Sequence, residues 1–423
     1  MQEQIYSVID DLKSGKYPEE DLNQLLNSIR QLTDEESMES LFTLGDALVQ
    51  AGAMEEAETI FMHIYNQMDH DDEVIAYMTD IYIADGKLDD ALNLINQAPK
   101  TKTVLMSKAE IFQQLNMNDV SIRLINEAKE IEDEPVLDFA LAEIYYQDGD
   151  FESALRYYRP LIDQNFEDLN GVNLNLRLAE LYMNQIELEE SRAYFEKVDE
   201  KQYSNDDFYR KALVEYQLES YESAKNLLDK VIENEPYYIN AYILLMNVHE
   251  TEHELDAAIS TLENYLAEDD TNPLIFFHIG RLNFRSKNSD KAIEAFKKSI
   301  SLDQDYDDAY LMLFETLLQT ERTDEIAELY PNLDTHALSG ESLYLLAKIE
   351  QENENDDNAL KFYQDAEKLI GESLEFYTDY YKYLTEIGHS QKSPVLDKLI
   401  QLDPNNIEWQ FERERLENEE DQL

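Results

Sequence analysis

The chain has 423 residues, 93 of them acidic and 34 basic, for a formal charge of −59, and it contains no cysteine. A surface this acidic repels nucleic-acid phosphate, whose binding needs clustered Lys and Arg, and the sequence holds no such cluster. The missing thiols exclude disulfides, thiolate metal sites and a cysteine nucleophile. No window reaches the ~20 apolar residues of a membrane span. The first residues show neither the basic region nor the apolar run of a signal peptide, so a cytoplasmic chain without membrane or direct nucleic-acid contact is expected. The charge itself has two readings: solubility of a large exposed surface, or attraction to a basic partner.

Taken in order, residues 2–13 place Ile5, Val8, Ile9 and Leu12 on one helical face. Beyond Gly15 and Pro18, a second helix carries Leu22, Leu25, Leu26, Ile29 and Leu32. This pair, 1–37, is expected to cap an array, because the first unit of a stack has no predecessor to cover it. A DNA-reading helix-turn-helix is a poor rival, since its second helix holds Glu19, Glu20 and Asp21. From residue 38 a unit of roughly 34 residues recurs, most legibly in Asp138 to Leu161. There a first helix with Leu141, Ala142 and Tyr145 is broken by Gly149, and a second carries Ala154 and Tyr158.

With Pro135 as position 1, position 20 reads Ala57, Ala91, Ser121, Ala154, Ser191, Ala224, Ala258, Ala292, Ile326 and Ala359. Position 8 is mostly small, as at Gly45, Ala109, Ala142, Ala179, Ala212, Gly280 and Ala347. Position 24 is always large and apolar or aromatic, as at Phe61, Tyr158, Phe195, Phe296 and Tyr363. Small residues let helix axes approach while large ones fill the groove beside them. Repeats one to four are assigned to 38–171 and five to ten to 172–372, with a degenerate repeat and a capping helix over 373–423. The longest spacing falls across 164–171, a lengthened connection and a candidate hinge. Ile326 and Phe314 break the pattern near Pro331, where looser packing is expected. The capping helix is expected to use Ile407, Trp409 and Phe411, and the final EEDQL to fray.

Gly280, Ala292 and Phe296, with Pro236 and Pro404 at unit ends, give the chain a pattern that resembles the tetratricopeptide-repeat (TPR) family. The resemblance implies an all-α solenoid, a right-handed superhelix of antiparallel helix pairs with a concave groove, serving as a scaffold for other proteins. In length, acidity and lack of an appended domain the chain also looks like the YpiA-type TPR proteins of Gram-positive bacteria. That likeness implies a link to RNA polymerase or a factor bound to it.

One motif points elsewhere. His249 to His253 matches HExxH, which sets two zinc-binding imidazoles one helical turn apart with a Glu as general base. The repeat frame reads it differently: His249 takes position 11, where Tyr82, Phe112, Tyr145 and Tyr182 stand in other units, and Asp256 and Ile259 replace the Gly and His of the extended motif. Histidines 63, 70, 278, 336 and 389 make no ligand spacing. The acidic run at 303–308 has Asp308 where a calcium loop needs Gly, and Phe314 where it needs Glu. No phosphate loop or catalytic triad is present, so no enzyme and no cofactor are expected.

The family resemblance turns positions 5, 9 and 12 of each first helix toward the groove. Position 9 reads Asp46, Asp80, Glu110, Glu143 and Glu180, then Leu213, Asn247, Arg281, Glu315 and Lys348. Phe42, Phe139, Tyr146, Tyr209, Tyr216, Phe277 and Phe284 flank this stripe. An acidic ladder between apolar rows suits a basic amphipathic helix or an extended basic segment. Alternatively, positions 5 and 12 merely pack against adjacent helices. The expected function is a non-enzymatic adaptor docking a basic protein or peptide. Its alternatives are a zinc metallohydrolase at His249 and His253, and a chaperone-type scaffold gripping acidic tails through Asn247, Arg281 and Lys348.

Overall fold

In the computed structural model, which describes residues 2–68 and 71–420, nearly every element is an α-helix. Contacts divide the chain into two compact units, the first ending at Gln202 and the second beginning at Tyr203. The first opens with the helices Gln2–Lys13 and Glu19–Ser28. Five pairs follow: Glu35–Gln50 with Met54–Gln67, Asp72–Ala84 with Leu88–Ile95, Lys102–Gln114 with Asn118–Ile131, Pro135–Gln147 with Phe151–Asp163, and Leu174–Asn184 with Leu188–Phe195. The second unit holds Asn205–Gln217 with Tyr221–Asn234, Ile239–Thr251 with Leu255–Leu266, and Pro273–Arg285 with Ser289–Leu302. It continues with Asp307–Gln319 and a 3₁₀ partner, Gly340–Glu352 with Asp356–Glu367, Leu374–Glu386 with Lys392–Leu402, and a last helix, Ile407–Glu420.

Polar caps begin many of the first helices. Asp34, Thr101, Ser204 and Asn272 each accept a hydrogen bond from a backbone N–H of the first turn. A single left-handed residue reverses the chain within each pair. It is glycine at Gly52, Gly86 and Gly149, but Asn116, Ile186, Glu219, His253, Lys287, Glu321 and Glu354 take the same role with φ between 56° and 65°. For β-branched Ile186 this conformation is strained.

The small-large-small code is a steric interlock. A Cβ built on Gly45 would lie 2.7 Å from the Phe61 ring, and one on Gly280 would lie 2.5 Å from Phe296. The position-20 alanines are fully buried where the paired helices meet. Where serine replaces alanine its hydroxyl is satisfied: Ser121 donates to the Ala109 carbonyl at 2.8 Å and Ser191 to Ala179 at 2.7 Å.

Three stretches are resolved in detail that the pattern left open. The lengthened connection at 164–171 runs into a two-stranded antiparallel hairpin, Asp168–Leu169 with Val172–Asn173. It turns on Asn170 and Gly171, both at positive φ as a type I′ turn requires. In the irregular repeat, Ile326 is too large for close helix approach and Pro331 lacks an N–H, and the expected second helix shrinks to 3₁₀ segments at Thr323–Glu328 and Tyr330–Asn332. In the last helix, Leu416 is buried and Trp409 sets its ring 5.9 Å from Tyr381, edge to face. Ile407 and Phe411, expected to help cap the array, stand 67% and 65% exposed instead. Of the tail expected to fray, residues 421–423 lie outside the described residues. Among the described residues no helix is long and apolar enough to cross a membrane.

A candidate peptide-binding surface

The five position-9 carboxylates all belong to the first unit, one on each first helix, and their surroundings differ sharply. Asp46 accepts hydrogen bonds from Gln50 Nε2 at 3.0 Å and from the Tyr77 hydroxyl at 3.3 Å. Glu143 accepts from the Tyr158 hydroxyl and from Arg177 Nη2, the latter at 3.3 Å. Arg177 also reaches Glu180 through Nη1 at 3.3 Å, and its guanidinium lies over the Tyr146 ring, 4.0 Å from the centroid. The side chains of Glu143 and Glu180 are only 19% and 15% exposed. This end of the ladder is therefore neutralised from within.

Asp80 and Glu110 differ from the rest: neither hydrogen-bonds or ion-pairs with a described residue. Both line a concavity of about 600 Å³ between the helices Asp72–Ala84, Lys102–Gln114 and Pro135–Gln147. Both side chains are exposed at the mouth of the concavity. The neighbouring helices exclude part of the surrounding water, and this, with the charge of Glu110 second, pushes the Asp80 carboxyl up to about 7. Burial raises Glu110 as well. Two adjacent carboxylates without a cation form a site at which a positive charge is favoured.

The cause lies one repeat further on. A position-6 side chain reaches back to the preceding position 9: Tyr77 to Asp46, and Arg177 to Glu143. The residues that follow Asp80 and Glu110 at this place are Ser107 and Ala140, and neither makes such a bond. Reading position 9 together with the next position 6 is the signal that would have separated the open carboxylates from the spent ones.

The flanking aromatics are mostly engaged. Phe139 is only 6% exposed, packed edge to face on Tyr158, so it belongs to the core and not to an open groove. Phe42 packs against Phe61 and Tyr77, and Tyr146 lies beneath Arg177. In the second unit Tyr209 pairs with Tyr238, Tyr216 meets Tyr221 and Thr251, Phe277 packs among His278, Phe296 and Tyr306, and Phe284 lies against the core. The cations proposed for gripping acidic tails already hold carboxylates: Arg281 donates to Glu250 at 2.7 Å and Lys348 to Asp379 at 3.3 Å.

The HExxH stretch does not assemble its motif. His253 occupies the left-handed turn at φ 65°, past the helix that carries His249, and Glu250 is held by Arg281 and Arg285. His249 Nδ1 instead lies 2.8 Å from Glu254. The donor atoms of His249, Glu252 and Glu254 fall within 4.8 Å of one another, a different set from the motif's, and the Lys225 ammonium already sits 3.1 Å from Glu252. His63 contacts the Leu32 carbonyl at 2.8 Å. His70 lies outside the described residues.

Two family profiles match the chain, one described as YpiA-like tetratricopeptide repeats at residues 113–166 and one as a tetratricopeptide repeat at residues 275–306. The first spans the helices that carry Glu143 and Tyr158, and the second spans the Gly280–Phe296 interlock. The chain folds as a helical-repeat solenoid of the tetratricopeptide type. Proteins built of such repeats generally act as protein-interaction scaffolds. Among curated proteins, the chain is 23% identical over 408 residues to the TPR repeat-containing protein YpiA of Bacillus subtilis (strain 168), covering 95% of each. Among solved structures it is similar to the C-terminal part of a TPR repeat-containing protein from Cytophaga hutchinsonii, at 15% identity and a TM-score of 0.45, covering 64% of this chain and 97% of that one. It is also similar to a structure of Naa15/Naa10 bound to HypK, at 13% identity and a TM-score of 0.37, covering 88% and 64%.

Proposed function

We propose that the protein is a non-enzymatic adaptor that docks a basic protein or peptide segment at Asp80 and Glu110 on its first unit. The observation that carries this reading is the pair of uncompensated carboxylates in one concavity, in a chain where equivalent carboxylates are paired internally. A partner Lys or Arg entering there relieves the repulsion between the two acids, and a charge-assisted hydrogen bond contributes roughly 1.5–3 kcal/mol. The net charge of −59 adds long-range attraction that speeds encounter. The likeness to YpiA-type proteins makes RNA polymerase, or a factor bound to it, the first partner to test.

The test is affinity capture of purified RNA polymerase and of lysate proteins on the immobilised chain. The variant Asp80→Asn/Glu110→Gln is compared with a control, Asp90→Asn/Glu190→Gln, which removes the same charge from exposed positions on second helices. Selective loss of a basic partner with the first variant is expected. Equal loss with both would mean that net charge alone steers binding, and no loss with either would place the partner elsewhere.

A further inference from the structure

The second unit carries a cluster of a different chemistry, independent of Asp80 and Glu110. His249 stands in the last turn of the helix Ile239–Thr251, Glu252 is the residue that ends this helix, and Glu254 follows the left-handed turn at His253. One ligand atom of each lies within 4.8 Å of the others. A helix C-terminus already carries partial negative charge, and two carboxylates placed there add to it. Glu252 Oε2 is sealed from solvent yet accepts no hydrogen bond: the Lys225 ammonium, 3.1 Å away, meets it as a charge without hydrogen-bond alignment. A buried oxygen is thus left with electron pairs to give.

An imidazole with two carboxylates is a donor set for zinc and its first-row neighbours, whereas calcium and magnesium take oxygen alone. Donors held about 2.0–2.2 Å from a tetrahedral zinc stand roughly 3.4 Å apart, so rotation of the two flexible Glu side chains closes the cluster on an ion. Lys225 holds that place with a single charge. It can withdraw to Glu222, 3.3 Å away on its own helix. Asp229, one turn further along the same helix, lies close enough to His249 for their charges to interact, and it brings a further carboxylate from the preceding repeat. We infer that His249, Glu252 and Glu254, with Asp229 beside them, bind a divalent transition-metal ion. The ion exchanges the 2.8 Å contact between His249 Nδ1 and Glu254 for bonds to neutral imidazole and carboxylate. It uses neither Glu250 nor His253 of the HExxH stretch, and it ties the helix Tyr221–Asn234 to the repeat that follows.

The probe is zinc itself, titrated by calorimetry into the chelator-stripped full chain under excess magnesium, which occupies the carboxylates that bind any cation. Saturable binding of one ion per chain is expected, and zinc should raise the melting temperature. His249→Phe removes the nitrogen but keeps an aromatic ring at a position where other repeats hold Tyr82, Phe112, Tyr145 and Tyr182, so the fold is spared. It should weaken zinc binding at least about tenfold, as should Glu252→Gln/Glu254→Gln. Lys225→Met withdraws the competing charge and should tighten binding about fivefold. His253→Asn, which puts at this turn the residue that Asn116 supplies at another, should leave the affinity unchanged. No saturable binding under magnesium, or binding indifferent to both His249→Phe and Lys225→Met, would overturn the site. Equal loss with His253→Asn and His249→Phe would overturn this donor set and return the ion to the HExxH pair.

Discussion

Asp80 and Glu110 stand at the same repeat position as Glu143 and Glu180, in the same unit, yet the two pairs have opposite fates. One pair faces a concavity without a cation, and the other clamps Arg177. The repeat frame therefore determines where a carboxylate sits but not whether it is available. For Asp80, Glu110 and Glu143, availability follows the position-6 side chain of the next repeat, long and cationic at Arg177, short and neutral at Ser107 and Ala140, whereas Glu180 meets Arg177 on its own helix. Five acids in register thus make a site of two.

This contrast can be broken by exchange. Arg177→Ala should remove the cation that Glu143 and Glu180 share and leave Glu143 half-buried with the Tyr158 hydroxyl, costing roughly 2 kcal/mol in urea unfolding at neutral pH. It should also open Glu143 to the basic segment of a partner. An unchanged midpoint would show that the clamp adds no net stability. In the opposite direction, Ala140→Arg supplies the missing partner. It should stabilise the chain by about 1 kcal/mol and abolish peptide binding at Glu110, and binding that persists would mean the concavity is not the site.

Ile186→Gly separates stability from availability. The residue is 79% exposed and holds a positive φ, so the change relieves about 1 kcal/mol of backbone strain in the repeat that carries Glu180. Combined with Arg177→Ala, it should restore part of the lost stability and leave the new binding locus intact.

The smallest effect is a pH dependence. The folded protein holds the Asp80 carboxyl near 7 against an ordinary value near 4. Between those values the folded chain binds more protons than the unfolded one, and stability falls as pH rises. Asp80→Asn should therefore gain on the parent as pH rises, by less at pH 5 than at pH 8. Equal melting temperatures at both pH values would mean that Asp80 is no more strained than a carboxylate in water.

The sequence made the helix pairs legible because their code is local: a small residue, a turn and a large residue within one repeat. The position-9 stripe was legible for the same reason. Pairing across repeats was not, because it depends on how far a side chain reaches from the next helix, which periodicity does not report. Phe139 was misread because an apolar residue at position 5 can face the groove or fold back on its own partner helix, and the neighbouring Tyr158 decided for the latter. The hairpin at 168–173 carried its signal openly in Asn170-Gly171, but a repeat of helices directs attention away from strands. The shrunken helix at 323–328 follows from Ile326 and Pro331, both visible, although the form of the failure was not.

The interlock of Gly45 with Phe61, and of Gly280 with Phe296, has a consequence for how such a chain changes over generations. Enlarging the glycine alone drives a methyl into a ring, and shrinking the ring alone leaves a void. The two sites must therefore drift together or stay fixed. Recombination that breaks between the two helices of a repeat would set an alanine against a ring that needs glycine, or a glycine against a side chain too small to fill the space. Recombination that breaks between repeats keeps each matched set intact. Arrays of this kind thus lengthen, shorten and shuffle by whole repeats, and an exchange at that boundary carries a position-6 residue to a new neighbour. Moving one repeat in this way can open or close a carboxylate on the repeat before it without altering that repeat at all.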